Sequence, residues 1–476
     1  MIAPLLKFRS HLSNSERRAL DESHLLTSAI RGFVETLTIP HSSSFSSSKK
    51  VGVPASLTLI SRLSCRRAGT RFNARGIDDE GNVANFVETE VVIWDPAGGA
   101  AGAGLGFSYC QVRGSVPGWF SISTQFKHVH LSNITSLVFW EQQTGLLPTQ
   151  QKITLSRSPE ATQPAFDKHF EGLTLKYGVT HVVNLLSATK LGEVDLSKRF
   201  RYHIRNSPLN HDPGYQTEST GQGVRGAGGG GEGTLIKATE YDFHAETQGR
   251  YENAHAIRRL LEQSAEGFAY FVMEELDAQS ASKRLSSETA VVLLQQEGVF
   301  RTNCLDCLDR TNLVQGILSQ IAIESFLYHR QDGVAPDFWM RHSALWADNG
   351  DALSKIYAGT GALKSSFTRH GKSSWGGLIA DARKSATRMY INKFVDGGRQ
   401  ETIDVLLGRQ LGMEPVQLYD PINDYAQAEL LRRSVSTLYA PLLTNDDALP
   451  EHRNILLPRR STFLWAHSMS MVAQLV

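Results

Sequence analysis

The stretch RTNCLDCLDRTNLVQ, residues 301–315, decides how the rest of the chain is read. Residues 297–302 have the composition of a strand leading into it. From Thr311 onward, with Asn312 near the start, the pattern turns helical, most strongly over 314–327. Between the two lies a short loop running from Cys304 to Arg310. A loop of this kind curls so that its backbone N–H groups face inward, and the helix N-terminus adds its dipole. The result is a site for the oxygens of a phosphate group. Arg310 adds a planar, bidentate donor pair suited to the same oxygens. Cys304 stands at the loop floor, where the positive field favours its thiolate.

A cysteine followed six positions later by Arg310 and then Thr311 matches the spacing of a cysteine-phosphatase loop. In such a loop the thiolate attacks phosphorus, a phosphocysteine forms, and water hydrolyses it. Spacing alone leaves other readings open. Cys304-x-x-Cys307 is also half of a zinc site, although the sequence offers no second Cys/His pair at suitable spacing. It is also a thioredoxin-like redox spacing, or a buried structural loop. Asp306 and Asp309 would repel a phosphate if both pointed inward, so at least one of them must do something else. Proton transfer to the leaving oxygen or to water is one use. Bonding to loop amides or orienting Arg310 is the other.

The composition is that of a globular protein with a real core: 476 residues, 41% hydrophobic and 20% charged. A net charge of +1 gives no global nucleic-acid signature. Four cysteines are too few for a disulfide scaffold and fit a reducing interior. No signal peptide and no membrane-spanning run is visible, so the expected location is cytoplasmic and peripheral on membranes.

Along the chain, residues 10–38 read as helices with polar faces, and 42–50 as a Ser-rich linker. Residues 56–64 are strand-like, 69–90 suggest a β-meander, and 97–106 a Gly/Ala-rich loop. A buried strand is expected at 179–186, a helix at 253–266, and helical segments broken by Pro415 and Pro421 over 400–437. A GxGxxG match at Gly221, Gly223 and Gly226 lies in a Gly-rich loop, 219–233, with no strand before it; it makes a poor dinucleotide fingerprint. Residues 363–394 carry Lys364, Arg369, Lys372, Arg383, Lys384, Arg388 and Lys393 against the single acid Asp381. That is either a solvated helix face or a surface for anionic lipid headgroups.

The quoted loop closely resembles the signature of the Sac-domain phosphoinositide phosphatases. Other segments agree with it: TRFNARGIDDEGNVANFVETE ending at Glu90, QVRGSVP at 111–117, Tyr177-Gly178 before VNLL, YDFH at 241–244, and ALWADNGDALSKIYAGTGALK at 344–364. TIDVLLGRQ at 402–410 and DPINDY at 420–425 are most similar to the fungal synaptojanin-like branch, in which an inositol-polyphosphate 5-phosphatase domain follows. The resemblance implies an α/β fold (α+β overall), with a Sac-type catalytic domain at 165–440 behind a partial, mostly β subdomain at 1–164. Residues 441–476 form an irregular tail. It implies phosphatidylinositol phosphates on the cytosolic leaflet as substrates, commonly the 4-phosphate, and endocytic or trafficking proteins as partners. No metal or cofactor and no nucleic acid are implied. Cys304, Arg310 and Asp306 carry over as the catalytic motif, with Asp309 and Thr311 beside them. Asn303, Cys307, Lys364, Arg369 and Lys372 are the expected substrate-binding residues. Two alternatives keep parts of this picture: a catalytically impaired phosphoinositide-binding remnant, and a phosphoprotein phosphatase.

Residues 118–137 separate RGSVP from VFWEQ, segments that adjoin in the family, and match nothing in it. Being short and a whole number of codons, they fit a retained intron. Transcript reads are expected to splice across these codons; reads that carry the segment throughout would dismiss the idea.

Overall fold

The computed structural model describes residues 13–22, 31–39, 54–71, 73–99, 104–118, 120–124, 151–190, 192–210, 234–248, 251–275, 290–305, 308–363 and 375–406. The chain divides into two compact units, Met1–Ile2 with Ser13–Gln400, and Ala3–Leu12 with Glu401–Val476. Of the second unit only 401–406 are described, as helix. All the described strands and the remaining helices belong to the first.

After a short helix α1 (Asn14–Glu22), the chain builds four antiparallel neighbours: β1 (Gly32–Ile39), β2 (Ala55–Leu63), β3 (Val87–Asp95) and β4 (Leu105–Ser115). A separate hairpin-like pair comes next, β5 (Phe120–Thr124) with β6 (Gln151–Leu155). The next elements are α2 (Pro159–Tyr177), β7 (Val179–Asn184), α3 (Glu193–Asn206), β8 (Ile236–Glu240), α4 (Phe243–Thr247), α5 (Arg258–Phe268), β9 (Phe271–Glu275) and β10 (Ala290–Leu294). Then come β11 (Gly298–Cys304), α6 (Asp309–Arg330), α7 (Phe338–Ala358), α8 (Trp375–Phe394) and α9 (Asp396–Leu406).

The main sheet among the described residues has nine strands and runs β1-β2-β3-β4-β11-β7-β8, with β9 and β10 attached to β4. β4 joins two kinds of sheet. Its first half, Leu105–Ser108, pairs antiparallel with β9, and its second half, Val112–Ser115, pairs parallel with β11. β11 is also parallel to β7, and β7 to β8. The mixed α/β fold expected from the sequence is therefore present, and one sheet draws strands from both sides of residue 164.

Strand alternation assigns the two faces. On β11, Phe300 joins Phe107, Val91, Leu59, Val314, Ile321 and Trp346 in the core beneath α5, α6 and α7. Its neighbour Val299 joins Val112, Val182, Phe166, Phe170, Leu196 and Phe200 beneath α2 and α3. Helices thus cover both faces of the parallel part, the usual condition for parallel strands. Ser158 caps α2 by accepting the Ala161 N–H, with Pro159 in the first helical position. Gly178 ends α2 at φ 83°, where a Cβ would stand 2.5 Å from the Glu297 carbonyl oxygen. Glycine is required there to bring β7 beside β11.

A buried polar chain ties α6 to the antiparallel half. Asn312 donates to the Trp346 carbonyl at 2.6 Å and accepts from Asn349 at 3.1 Å. Asn349 in turn accepts from the Ser61 hydroxyl at 2.7 Å, and Ser61 bonds to Thr89. Gly350 permits this approach, since a Cβ there would meet Asn312 Nδ2 at 2.7 Å.

Several expectations need correcting. Of the described residues in 10–38, Asn14–Glu22 are helical, but Gly32–Ile39 is a strand, because Phe33, Leu37 and Ile39 pack on the core when it pairs with β2. The stretch 69–90 is not a meander. It folds as turns with one bridge, Ile77↔Val83, because the Asp78 carboxylate takes the N–H groups of Glu80 and Asn82. Strand β3 begins only at Val87. Residues 253–266 begin as a 3-10 turn, Tyr251–Ile257, before α5. Part of the segment 118–137 forms β5, paired with β6 and not with the main sheet. The linker at 42–50, the Gly-rich loop with its GxGxxG match, residues 407–437 and the tail lie outside the described residues.

Replacing Asn349 by Leu leaves the buried Asn312 carbonyl without its donor and the Ser61 hydroxyl without its acceptor. The expected loss is about 1–3 kcal/mol of stability, read as a lowered urea midpoint at unchanged slope.

Candidate functional site

The C-terminal ends of the parallel strands β4, β11 and β7 lie side by side where Cys304 ends β11. Cys304 is the last residue of β11, with its backbone in register with Ser115 of β4. One residue earlier, Asn303 lies in register with Asn184 of β7. The Cys304 side chain and residues 306 and 307 lie outside the described set, as do Lys364, Arg369 and Lys372. The loop closes at Leu308, which precedes α6 and makes no side-chain cap. The first N–H groups of a helix have no intrahelical partner, so the start of α6 is an N-terminus suited to an anion.

The loop is braced from behind. Asn303 is fully buried; its amide donates to Asn184 Oδ1 at 2.7 Å, and its carbonyl accepts the Leu185 N–H at 2.9 Å. Arg75, buried, donates to the Leu305 carbonyl at 3.2 Å. Arg301, wholly buried, reaches His169 Nε2 at 3.1 Å and the Ser115 carbonyl at 2.7 Å. Burial and the nearby Arg301 cation both push His169 well below its ordinary pKa, so its ring is neutral and accepts at Nε2 while Nδ1 bonds to the Gly81 carbonyl. Thr311 is completely buried, and its hydroxyl has no hydrogen-bond partner among the described residues.

Arg310, mostly buried, donates to the Leu185 carbonyl at 3.3 Å and lies 3.8 Å from the Glu193 carboxylate. Leu185 opens a turn held by two acids. Glu193 accepts the Ser187 N–H at 2.7 Å; Asp242 accepts the Ala188 N–H at 2.6 Å and the Ser187 hydroxyl at 3.2 Å. Asp242 also caps α4 through the N–H groups of His244 and Ala245. Burial raises the Asp242 pKa, but these bonds outweigh it and hold the carboxyl below its ordinary value. His244 accepts from Lys190 at 3.0 Å and is driven below its ordinary value by burial, then by the Arg310 and Lys190 cations.

Asp309 is engaged on the far side of the loop. It accepts the Leu363 N–H at 2.7 Å and faces Arg388 at 3.6 Å. Arg388 is buried, bonded to Thr360, Ser354 and the Gly361 carbonyl. Lys384 donates to the Ala362 carbonyl and faces Asp351. The stretch read as a solvated or lipid-facing basic surface is thus corrected at these two cations: Arg388 ties residues 360–361 to Asp309 at the start of α6, and Lys384 ties Ala362 to Asp351 on α7.

Among the predicted residues, the structure brings Arg310, Asp309, Thr311 and Asn303 together around the end of β11. Sequence reasoning missed Glu193 and Lys190. It quoted the segments holding Arg75, Asn184, Asp242 and His244 without giving those side chains roles. Asn184 ends β7, Lys190 and Glu193 follow it, and Asp242 and His244 follow β8, at the edge where open parallel sheets place their sites; Arg75 comes instead from the turns before β3. Among the described residues no group of His, Cys, Asp and Glu is placed to hold a metal ion, and no helix is long and apolar enough to cross a membrane.

The family model of the SacI homology domain matches residues 7–136 and 138–248. The inositol-1,4,5-trisphosphate 5-phosphatase 1 of Schizosaccharomyces pombe is 42% identical over 456 residues, covering 96% of this chain and 34% of that protein. The polyphosphatidylinositol phosphatase INP53 of Saccharomyces cerevisiae is 40% identical over 447 residues, covering 90% of this chain and 33% of that one. The phosphatidylinositol-3-phosphatase SAC1-B of Danio rerio is 32% identical over 374 residues, covering 77% and 52%. The chain thus spans about a third of the length of the two fungal relatives.

The depressed Asp242 pKa has a stability consequence. A carboxyl held below its unfolded value stabilises the fold above that value and loses the contribution as pH falls through the folded value. Asp242→Asn is therefore expected to be less stable than wild type at pH 7, with the gap closing below pH 3.8, the carboxyl's ordinary value. Urea titrations of both proteins across this range measure it.

Proposed function

The chain belongs to the SacI homology domain family, and from that premise we propose that it hydrolyses phosphate monoesters of phosphatidylinositol phosphates, with the 4-phosphate preferred. The observation that carries this reading is the junction of β11 and α6. Cys304 ends a strand held between two parallel neighbours, and Arg310 stands in the first turn of a helix whose N-terminus has no side-chain cap.

In this reading the loop amides and Arg310 hold the phosphate oxygens. The Cys304 thiolate attacks phosphorus in line with the inositol oxygen. As the S–P bond forms, the P–O bond to the ring breaks and an acid protonates the departing oxygen. Water then attacks the phosphocysteine, releasing inorganic phosphate and returning the thiolate. Asp306 is the proposed acid. Asp309 already carries the Leu363 N–H and faces Arg388, which supports a holding role for it. Asn303, buried against Asn184, supports the loop from within; Cys307, Lys364, Arg369 and Lys372 are proposed to meet the headgroup. The substrate is drawn from the cytosolic face of membranes, and the trafficking partners of the longer relatives' class belong to the same proposal.

Cys304→Ser is expected to abolish phosphate release from short-chain phosphatidylinositol 4-phosphate. Arg310→Ala should lower kcat/KM by about 100-fold or more. A malachite-green panel over all phosphoinositides reads both. Unchanged turnover in Cys304→Ser discards the mechanism, and liposome binding without release by the wild-type chain favours a non-catalytic module.

A further inference from the structure

The phosphate-binding arginine of such a loop must be held in one pose before substrate arrives, because a flexible guanidinium surrenders its advantage in ordering itself. Among the described residues, two groups that hold Arg310 lie outside the loop signature. One is the Leu185 carbonyl, 3.3 Å from Nη1. The other is the Glu193 carboxylate, in the first turn of α3, whose Oε2 lies 3.8 Å from the same nitrogen.

Glu193 is 6% exposed, too buried to serve as an ordinary surface acid. A buried carboxylate is costly unless paired and hydrogen-bonded. Its Oε2 meets both conditions, taking the Ser187 N–H at 2.7 Å while facing Arg310. Lys190 stands at 4.0 Å from Oε1 at the solvent side. The same carboxylate therefore fixes the turn that presents the Leu185 carbonyl and neutralises the guanidinium that the carbonyl receives. A bond to the Ser187 N–H alone would need only a neutral acceptor; an acid here faces two cations, and of these Arg310 is the buried one while Lys190 stands in solvent.

We propose that Glu193 is a positioning residue for phosphate-ester cleavage, holding Arg310 in the pose that clamps the transferring phosphoryl group. The proposal rests on the phosphatase reading above. Glu193 touches no substrate; it acts through Arg310 and through the turn after β7.

Glu193→Gln isolates the charge, because the amide oxygen still accepts from the Ser187 N–H. The full chain is assayed in four forms: wild type, Glu193→Gln, Arg310→Lys and the double variant. With short-chain phosphatidylinositol 4-phosphate, Glu193→Gln is expected to lower kcat by about tenfold or more with KM within about threefold. The double variant should be no slower than Arg310→Lys alone, since the carboxylate has nothing left to position. Glu193→Asp, which keeps the charge one methylene farther away, should recover part of kcat and serves if Glu193→Gln folds poorly. Tungstate binding, measured by calorimetry on the same four proteins, gives a readout without turnover. Non-multiplicative effects on tungstate affinity are expected there too. Full kcat in Glu193→Gln, or effects that multiply in both assays, overturns the proposal. Absence of turnover in wild type while the tungstate effects stay coupled would sink the phosphatase reading and leave the pairing standing. No tungstate binding by wild type removes the oxyanion site and the proposal with it.

Discussion

Strand β11 is the constraint on which the rest depends. It is hydrogen-bonded on both edges, to β4 and to β7, and buried on both faces, with Val299 in one core and Phe300 in the other. Because side chains alternate along a strand, a slip of one residue would exchange these faces and move every group at its end. The register that satisfies both cores therefore also sets where Cys304 stands. Packing energy, which is large and non-specific, is converted here into the placement of a loop. Parallel strands give this placement a direction, since their C-terminal ends share one edge and the turns after β7 and β8 reach the same place.

Behind that edge the protein carries an unusual amount of buried polarity. Arg301 is wholly inside, between His169 and the Ser115 carbonyl, and over the Phe170 ring. Arg75 is buried on the Leu305 carbonyl, and Asn303 on Asn184. Each would cost about 1–3 kcal/mol or more if left unsatisfied, so none is explained by general stability alone. All of them end on groups at or beside the loop. Hydrogen bonds are directional where apolar contacts are not, and a loop that must point its N–H groups at one spot needs direction. The neutral state of His169 belongs to the same design: a protonated ring could not accept from Arg301.

The sequence disclosed what is local and missed what is distant. The strand–loop–helix of 301–327 could be read because its signals lie within one window: strand composition, turn residues, then a 3.6-residue period. The strands at β2 and β7 could be read for the same reason. Residues 32–39 could not, because Val34 on the outer face and Glu35 on the inner face break the alternation of Phe33, Leu37 and Ile39 along an edge strand. The turns of 69–86 were hidden because their order comes from side chains bonding to backbone, such as Asp78, and not from hydrophobic pattern. The most consequential misses are pairs far apart in the chain. Arg310 meets Glu193 across more than a hundred residues, and Asn312, Asn349 and Ser61 form one chain of hydrogen bonds from three elements. No periodicity reports such contacts.

The two acids inside a phosphate-binding loop looked contradictory on electrostatic grounds, and the contradiction eases once their surroundings are separated. Asp309 does not bring an uncompensated charge to the phosphate. One oxygen takes the Leu363 N–H and the other faces the buried Arg388, which itself is tied to Thr360 and Gly361. Its charge is spent on fastening residues 360–363 to the first turn of α6. A carboxylate there also suits the helix dipole while no anion is bound. In the proposed mechanism the other acid, Asp306, is the proton donor, and that role calls for it to hold a proton while the phosphate carries the charge. That is the protonation state in which it can give the proton to a departing oxygen. The electrostatic objection to two acids thus becomes an argument for dividing their roles, one as a fastening and one as a proton carrier.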